Sequence, residues 1–151
     1  MRTRALLVLV AALSANIDVA GAQGLGTQRS THHVTQTTDR LESVLRAEGM
    51  KIFARIDHSA GAQSMGVALP PTNLLVFGNP KIGTQLLIGN RMVGIDLPLK
   101  ALIWEDVDAN VWLAYNDPAY IARRFDIENQ QHVIAKMRGA LIKFAAHASG
   151  P

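Results

Sequence analysis

Seven polar side chains lie at or beside the ends of predicted strands, where side chains can reach a bound molecule. A polar atom that is buried needs a partner, and neither a tight turn nor core packing supplies one for all seven. Because polar groups at strand ends can converge at one edge of a sheet, we predict a single pocket for a small ligand. The seven residues are Asp57, His58, Asn79, Asp96, Tyr115, Asn116 and Tyr120.

Asp57 and His58 carry most of the chemistry of this group. A histidine at a strand end can transfer protons near neutral pH, bind a cofactor, or act only as a capping residue. One hypothesis is a binding module in which His58 anchors a small polar ligand or a cofactor such as haem, with Tyr115 and Asn116 orienting it. A second is an enzyme that uses Asp57 and His58 as an acid/base pair beside Tyr115 or Tyr120.

Two glycine-containing motifs resemble catalytic sequences. Residues 62–66, AQSMG, approximate the nucleophile elbow around Ser64, but a loop rather than a strand precedes them. Residues 78–84, GNPKIGT, have the spacing of a phosphate loop, yet the lysine is missing and Pro80 has no amide hydrogen. We therefore favour a coincidence for the first motif and a structural turn for the second. A small-anion site at the start of the following helix is the alternative for the second.

The residue types, their spacing and the net charge argue against metal, thiol and nucleic-acid sites. His32 and His33 are neighbours on a predicted strand and so point to opposite faces, and no histidine pair has the spacing of a helical zinc site. We therefore predict no metal. The chain has no cysteine, which excludes disulfides, thiolate metal sites and a thiol nucleophile. A formal charge of +3 gives no reason to expect nucleic acid as a partner.

Residues 111–120, VWLAYNDPAY, are predicted to form a strand that turns into a helix. Asp117 suits the N-cap and Pro118 suits the first helical position, so the corner explains both. It does not explain why Tyr115, Asn116 and Tyr120 all lie beside the turn.

Asp96 lies in a loop within the otherwise apolar stretch GIDLPLKALIW. A carboxylate in such a stretch needs a partner. We expect a backbone amide, Lys100 or Arg55 to supply it.

The elements that position these residues begin after an N-terminal segment. Residues 23–30 are predicted to be a disordered leader, and residues 31–37 the first strand because β-branched residues alternate there. A helix follows, with an ion pair between Glu42 and Arg46, a capping box from Asp39 to Glu42, and Gly49 just past its end. Further strands are predicted at residues 50–57, 74–77, 101–104 and 111–115, with a short helix near residues 84–88.

Residues 127–151 are predicted to form a C-terminal amphipathic helix. Its apolar stripe consists of Ile134, Met137, Leu141, Phe144 and Ala148. Together these elements predict one α+β domain, in which a mostly antiparallel sheet of about five strands is covered by helices on one face.

The first 22 residues have the three parts of a cleavable secretory signal. Arg2 and Arg4 form a basic start, residues 5–12 are an unbroken apolar run, and small residues at positions 20–22 suit signal peptidase. Asn16 and Asp18 interrupt the apolar run well short of the roughly 20 residues that span a bilayer. We predict cleavage after Ala22, a periplasmic protein, and no membrane anchor after cleavage.

Several of these stretches together resemble the domain-of-unknown-function family 302. The resemblance covers about residues 31–126 and rests on four motifs: DH at residues 57–58, FGNP at 77–80, GIDLPL at 94–99 and YNDP at 115–118. It implies a compact α+β domain that is often dimeric, and it implies no settled activity. The C-terminal helix is longer than the family core requires, so it could be a dimer contact or a lid.

These observations favour an exported small-ligand or cofactor-binding module over the acid/base enzyme. A third hypothesis is a homodimeric structural or envelope protein without small-molecule chemistry. In that case we expect the stripe of Ile134, Met137, Leu141 and Phe144 to pair across a two-fold axis.

Overall fold

A computed structural model describes residues 23–151, so the predicted signal peptide lies outside the described residues. Five strands form one antiparallel sheet in the order β1-β5-β4-β3-β2. The strands are β1 (Leu25–Ser30), β2 (Lys51–Asp57), β3 (Thr72–Gly78), β4 (Leu99–Glu105) and β5 (Val111–Asn116). The helices are α1 (Val34–Ala47), α2 (His58–Ser64), α3 (Pro80–Gly89), α4 (Pro118–Arg124) and α5 (Gln131–Ser149), with a 3-10 helix at Arg91–Ile95. The predicted α+β class is confirmed.

More buried and less buried residues alternate along the interior strands, because every second side chain faces the helices. On β3, Leu75 and Phe77 are almost fully buried, whereas Leu74 and Val76 point to the opposite face and are half-buried. Leu75 and Phe77 pack with residues of α1 and α5 in the main core. We call this side of the sheet the inner face and the opposite side the outer face.

A second apolar cluster lies beside the first half of α5. Leu86 of α3, Val93 of the 3-10 helix and Ile121 of α4 pack there with Ile134 and Met137. Leu99 at the start of β4 packs against both clusters. Helix α5 therefore joins the sheet core to the helices that follow β3 and β5.

The prediction that the apolar stripe of the C-terminal helix pairs across a two-fold axis is wrong. Ile134, Met137, Leu141 and Phe144 are each no more than 7% exposed within one protomer. The stripe does have helical spacing, but α5 uses it to cover its own sheet and the second cluster. It is therefore not available as a contact between protomers.

The beginning of the domain also differs from its prediction. Residues 25–30 are strand β1 rather than a disordered leader, because they pair with all six residues of β5. Residues 34–37 belong to α1 rather than to a strand, because Val34, Thr38, Leu41 and Leu45 are buried at helical spacing. An edge strand with one exposed face lacks the apolar alternation that marks an interior strand.

The early start of α1 changes the roles of its acidic residues. The helix begins after His33, so Asp39 and Glu42 lie within it and form no capping box. Arg55 of β2 reaches both carboxylates, at 2.5 Å from Asp39 and 3.7 Å from Glu42. The predicted pair between Glu42 and Arg46 is confirmed at 2.7 Å, and Gly49 follows the helix with a φ of 74°.

The C-terminal end of α5 is held by His32, which precedes α1, and by Arg40 in the middle of α1. Arg40 donates hydrogen bonds to the carbonyl oxygens of His147 (2.9 Å) and Gly150 (3.1 Å), and His32 Nε2 donates to Gly150 at 2.7 Å. Carbonyl groups at a helix end have no partner within the helix, so these donors satisfy them. His32 thus has a structural role and does not lie on a strand.

Candidate functional site

The structure does not bring the seven predicted site residues into one pocket. Asp57 and His58 lie at the end of β2, whereas Tyr115 and Asn116 lie on β5. Strands β3 and β4 separate them in the sheet, so the distance across it is three strand spacings, or about 14 Å. That is far beyond hydrogen-bond reach, and an acid/base pair at Asp57 and His58 has neither tyrosine beside it.

Asp57 caps helix α2. Its carboxylate accepts hydrogen bonds from the Ser59 hydroxyl (2.6 Å) and from the Ala60 amide (2.9 Å). These two bonds, the hydroxyl first, hold the pKa of Asp57 below its ordinary value. His58 is the exposed first residue of the same helix. The N-cap residue of α2 is therefore Asp57 and not His58. The hydrogen bonds of Asp57 are those that an N-cap carboxylate makes at the start of a helix.

The corner after β5 gathers Tyr115, Tyr120 and Asp117. Asp117 caps α4 through the Ala119 amide at 2.9 Å, as predicted, and lies 3.2 Å from Arg138 of α5. Tyr115 is only 9% exposed and belongs to the main core. Burial, with a smaller effect from Asp117, raises the pKa of the Tyr115 hydroxyl.

The two tyrosines of this corner lie against glycines at the start of β1. The Tyr115 ring lies over Gly26, and the Tyr120 ring lies over Gly24. Asn116 is half-buried and pairs with Leu25 at the end of the β1–β5 ladder. The rings of Tyr115 and Tyr120, which the turn alone does not explain, therefore pack against the start of β1.

Asp96 has a partner that the sequence did not indicate. Arg124 of α4 lies 3.2 Å from its carboxylate. Lys100 instead donates to the main-chain carbonyls of Pro98 (3.0 Å) and Asp96 (3.4 Å). Arg55 forms its ion pairs with acidic residues of α1. The expected partner was a backbone amide, Lys100 or Arg55, whereas the observed partner is a cation from a helix distant in the sequence.

Asn79 caps α3 in the same way that Asp117 caps α4. Its side-chain oxygen accepts from the Lys81 amide at 2.9 Å, and Pro80 occupies the first helical turn. The GNPKIGT segment is thus a strand-to-helix turn, with the first free amide already bonded. Ser64 of the other motif ends α2 and donates to the Gly61 carbonyl, so no nucleophile elbow forms.

Asn79 also lines a cavity with space for a ligand. This cavity has a volume of about 620 Å³ and lies between the ends of β3 and α1, helix α3 and helix α5. Small-molecule sites span about 300–1,000 Å³. Its wall is mainly apolar, including Met50, Phe77, Leu87, Leu97, Leu141 and Phe144.

The polar groups of the cavity wall come from different elements. They are Asn79 and Thr84 of the α3 region, Glu48 after α1, and Lys136 of α5. None of the ion pairs formed within residues 23–151 involves Glu48 or Lys136. Of the seven predicted residues, only Asn79 belongs to this wall.

The cavity does not fit a haem held by His58. That histidine is not among the residues that line it, and neither is any other histidine. Within residues 23–151, no group of three or more histidine, aspartate or glutamate side chains is arranged to hold a metal ion. The lining favours an organic ligand held mainly by apolar contacts.

Asp106 is a hydrogen-bond acceptor that is not among the seven predicted site residues. Its carboxylate accepts from the amides of Asp108 (2.9 Å) and Asn110 (2.8 Å) and from the Trp112 indole N–H (2.8 Å). The indole bond, followed by those of Asn110, lowers its pKa. Asp106 therefore fixes both the β4–β5 hairpin and the Trp112 side chain.

We expect Asp106→Asn to lower the thermal midpoint of unfolding at pH 7. The side-chain nitrogen of asparagine cannot accept the hydrogen bond from the Trp112 indole, and the side chain carries no charge. The folded-state pKa lies below the ordinary value of 3.8, so the carboxylate stabilises the fold above that value. This contribution is lost as the pH falls through the folded-state pKa. The difference between variant and wild type should therefore shrink in acid, as followed by circular dichroism.

Asp108→Asn is the matched control for this prediction. It changes the same hairpin turn, but the Asp108 carboxylate accepts no hydrogen bond from residues 23–151. We expect its midpoint to follow that of the wild type at every pH. Equal losses in the two variants would contradict the role given to Asp106.

None of the helices between residues 23 and 151 combines the length and the apolar character needed to cross a bilayer.

Curated relatives match the chain over most of its length. The fluoride-specific ion channel FluC 1 of Brucella suis biovar 1 (strain 1330) is 43% identical over 127 residues, which are 82% of this chain and 50% of that protein. The fluoride-specific ion channel FluC 2 of Brucella melitensis biotype 1 is likewise 43% identical over 127 residues, or 47% of its length. The chain spans about half the length of these relatives.

A family model and a solved structure agree on the domain itself. The crystal structure of an uncharacterized conserved DUF302 protein from Bacillus stearothermophilus has a TM-score of 0.76, with 20% identity over 84% of this chain and 99% of that one. This likeness shows the fold. The family model described as "Domain of unknown function DUF302" matches residues 26–144, a wider range than the expected 31–126 that takes in β1 and most of α5. The chain therefore belongs to the DUF302 family.

Proposed function

We propose that the protein is a binding module for a small, mainly apolar organic molecule. The observation that carries this proposal is the 620 Å³ cavity beside α5, with its apolar wall. Burying apolar surface stabilises a complex by about 25 cal/mol per Å², so a ligand that fills such a space needs few polar contacts. The hypothesis of an acid/base enzyme at Asp57 and His58 lacks comparable support from the geometry.

The polar groups of the wall suggest an amphipathic ligand. Lys136 and Glu48 are exposed residues that also line the cavity, so their charged ends lie near solvent. A polar end of the ligand would remain beside these groups while its apolar part contacts Phe77, Leu141 and Phe144. This arrangement avoids leaving a charged group of the ligand without a partner.

Native mass spectrometry of untreated protein, together with 1-anilinonaphthalene-8-sulfonate binding, tests the proposal. We expect Ala140→Phe, which places a ring in the cavity, to weaken binding of this dye by at least about tenfold, a loss of about 1.4 kcal/mol. Ala135→Phe is the control, because Ala135 is exposed on the same helix and outside the cavity wall. Equal binding by both variants would reject the cavity as the site.

We also propose that the module acts outside the cytoplasm, after cleavage following Ala22. The support is the basic, apolar and small-residue pattern of residues 1–22. Cell fractionation and the intact mass of the chain test this. A full-length chain in the cytoplasmic fraction would reject export.

A second candidate function is a contribution to fluoride resistance. The support is that two relatives 43% identical to this chain are named fluoride-specific ion channels, although the match covers only about half of each. A strain that lacks this chain should then grow more slowly in millimolar fluoride, and the chain should restore growth. Unchanged growth in fluoride would reject this candidate without affecting the proposed cavity.

A further inference from the structure

Helix α3 has three faces, and each meets a different environment. One face packs into the second apolar cluster through Ile82 and Leu86. A second face, which includes Gly83 and Leu87, lines the 620 Å³ cavity. The third face is exposed to solvent, yet Ile88 lies on it. Since residues three and four apart share a helix face, this exposed face lies directly beside the cavity wall.

The chain after α3 folds back along the same side of the helix. A β-carbon at Gly94 would lie 3.3 Å from Leu87, and one at Gly83 would lie 3.9 Å from Leu97. Gly94 and Leu97 both line the cavity, whereas Ile95 between them in the sequence is exposed. The 3-10 helix and the loop after it therefore form part of the rim of the cavity.

Three large apolar side chains on this rim point into solvent. They are Ile88, Met92 and Ile95, which we call the rim patch, and each is at least 71% exposed. Isoleucine and methionine are among the residue types most often buried. Single exposed apolar residues need no explanation, but three within eight positions of one folded-back segment indicate an interaction surface.

The charged groups of this segment are cations. Residues 80–95 contain Lys81 and Arg91 and no aspartate or glutamate. Both cations are exposed, and neither forms an ion pair within residues 23–151. Lys136 adds a further exposed cation on the α5 side of the cavity. The rim patch is thus flanked by positive charge that has no partner in the domain.

The carboxylates near the patch do not reverse this charge. Asp96 follows the patch and pairs with Arg124 at 3.2 Å. Asn90 donates to the Phe125 carbonyl at 2.8 Å, which brings the turn after α4 to the end of α3. Even with Glu48 of the cavity wall counted, cations outnumber carboxylates around the patch. The charged side chains of the turn are Arg123, Asp126 and Glu128.

We propose that the rim patch inserts into the surface of an anionic lipid membrane, and that the cavity takes a lipid-like amphipathic ligand from that membrane. Apolar side chains that enter the boundary between headgroups and acyl chains, together with nearby cations, bind proteins peripherally to anionic membranes. The transfer of a ligand rests on the binding function proposed above, whereas the membrane contact does not depend on it.

A lipid surface suits the rim patch better than a folded protein does. A standard protein interface buries about 800 Å² on each partner. Three side chains of roughly 100 Å² each supply less than half of that area. Reversible insertion into a bilayer needs no matching surface, because the acyl chains adapt to the inserted side chains.

Co-sedimentation with lipid vesicles tests the membrane contact. Residues 23–151 contain the whole sheet and its helices, and their use removes the apolar run of residues 5–12 from the assay. We expect binding to phosphatidylcholine vesicles with about one third phosphatidylglycerol to be at least about tenfold stronger than to phosphatidylcholine alone, since each cation near the surface contributes about fivefold. Added salt should weaken the binding. A chain that stays in the supernatant with anionic vesicles would overturn the proposal.

Ile88→Asp should lower binding to the anionic vesicles at least about tenfold, because it removes an inserted side chain and places a negative charge against the lipid. Val107→Asp is the matched control. Val107 is 97% exposed in the β4–β5 hairpin, so the same substitution changes the net charge equally, away from the patch. We expect this control to bind vesicles like the wild type. Equal binding by the two variants, each folded by circular dichroism, would overturn the rim patch as the contact.

Binding of 1-anilinonaphthalene-8-sulfonate separates the membrane contact from the cavity. Ile88 does not line the cavity, so Ile88→Asp should keep the dye affinity while it loses the vesicles. Ala140→Phe should weaken dye binding and still sediment with anionic vesicles. Dye binding in the cavity without vesicle binding would overturn the membrane contact and leave the proposed binding function standing. Vesicle binding with equal dye binding by Ala140→Phe and Ala135→Phe would reject the cavity, and with it the transfer of a ligand.

Discussion

Phe77→Ala is expected to lower the free energy of unfolding by about 3–5 kcal/mol, the usual loss when a buried phenylalanine is truncated. Phe77 is 1% exposed on interior strand β3 and packs in the main core. It also lines the 620 Å³ cavity, so the variant should accept larger ligands as it loses stability. Urea unfolding followed by circular dichroism measures the first effect, and a series of dyes of increasing size measures the second.

Phe53→Ala is the matched control, since Phe53 also lines the cavity but is 46% exposed on edge strand β2. Its ring contacts the Lys51 ammonium at 5.1 Å, an exposed interaction worth about 0.5–1 kcal/mol. We expect a stability loss of that order. If both variants lost the same free energy, the assignment of Phe77 to the core would be wrong.

Gly26→Ala is expected to cost about 1–3 kcal/mol, the range for forcing extra volume into a packed site. A β-carbon at Gly26 would lie 2.6 Å from Cζ and 2.8 Å from the hydroxyl oxygen of Tyr115. The Tyr115 ring is held in the core, so β1 must move away from β5. Unfolding by urea measures the loss, and near-ultraviolet circular dichroism reports the displaced ring.

Gly139→Ala shows whether the effect belongs to this contact or to glycine replacement in general. Gly139 lies inside α5, and a β-carbon there would meet no atom within 4 Å. Alanine in a helix interior is more stable than glycine by about 0.5–1 kcal/mol. We therefore expect the two substitutions to change stability in opposite directions. A loss in both would argue against the contact between Gly26 and Tyr115.

The regular spacing of apolar residues was sufficient to predict the helices and strands that are buried on at least one side. Strands β3, β4 and β5 and the stripe of α5 are all confirmed, because each buries side chains at a regular spacing. Strand β1 was missed for the opposite reason. Its pairing uses backbone groups, and five of its six side chains are exposed or half-buried, so its sequence resembles a loop.

The predicted pocket failed in part because two of its polar residues, Asp57 and Asn79, follow a local rule that Asp117 also follows. Asp57, Asn79 and Asp117 each cap the helix that begins at the next residue. The sequence shows this for two of them, since Asn79-Pro80 and Asp117-Pro118 place a proline at the same helical position. Only the second was recognised as a cap.

The cavity could not be predicted from local patterns. Its wall combines the end of α1, the start of α3, the loop before β4 and one side of α5, which are far apart in the sequence. Each of these residues reads locally as an ordinary core or surface position. Only the packing of α3 and α5 on the sheet determines that space remains between them.

The position of β1 has a consequence for how the sheet assembles and opens. Strands β2, β3 and β4 each pair with the next strand along the chain, whereas β1 pairs with β5 across nearly the whole domain. Closing so long a loop costs more conformational entropy than closing a hairpin. We therefore expect β1 to dock last and to detach first, with amide hydrogens that exchange faster than those of β3. The domain would then have a detachable margin, whose release exposes the Tyr115 ring and leaves a four-stranded sheet intact.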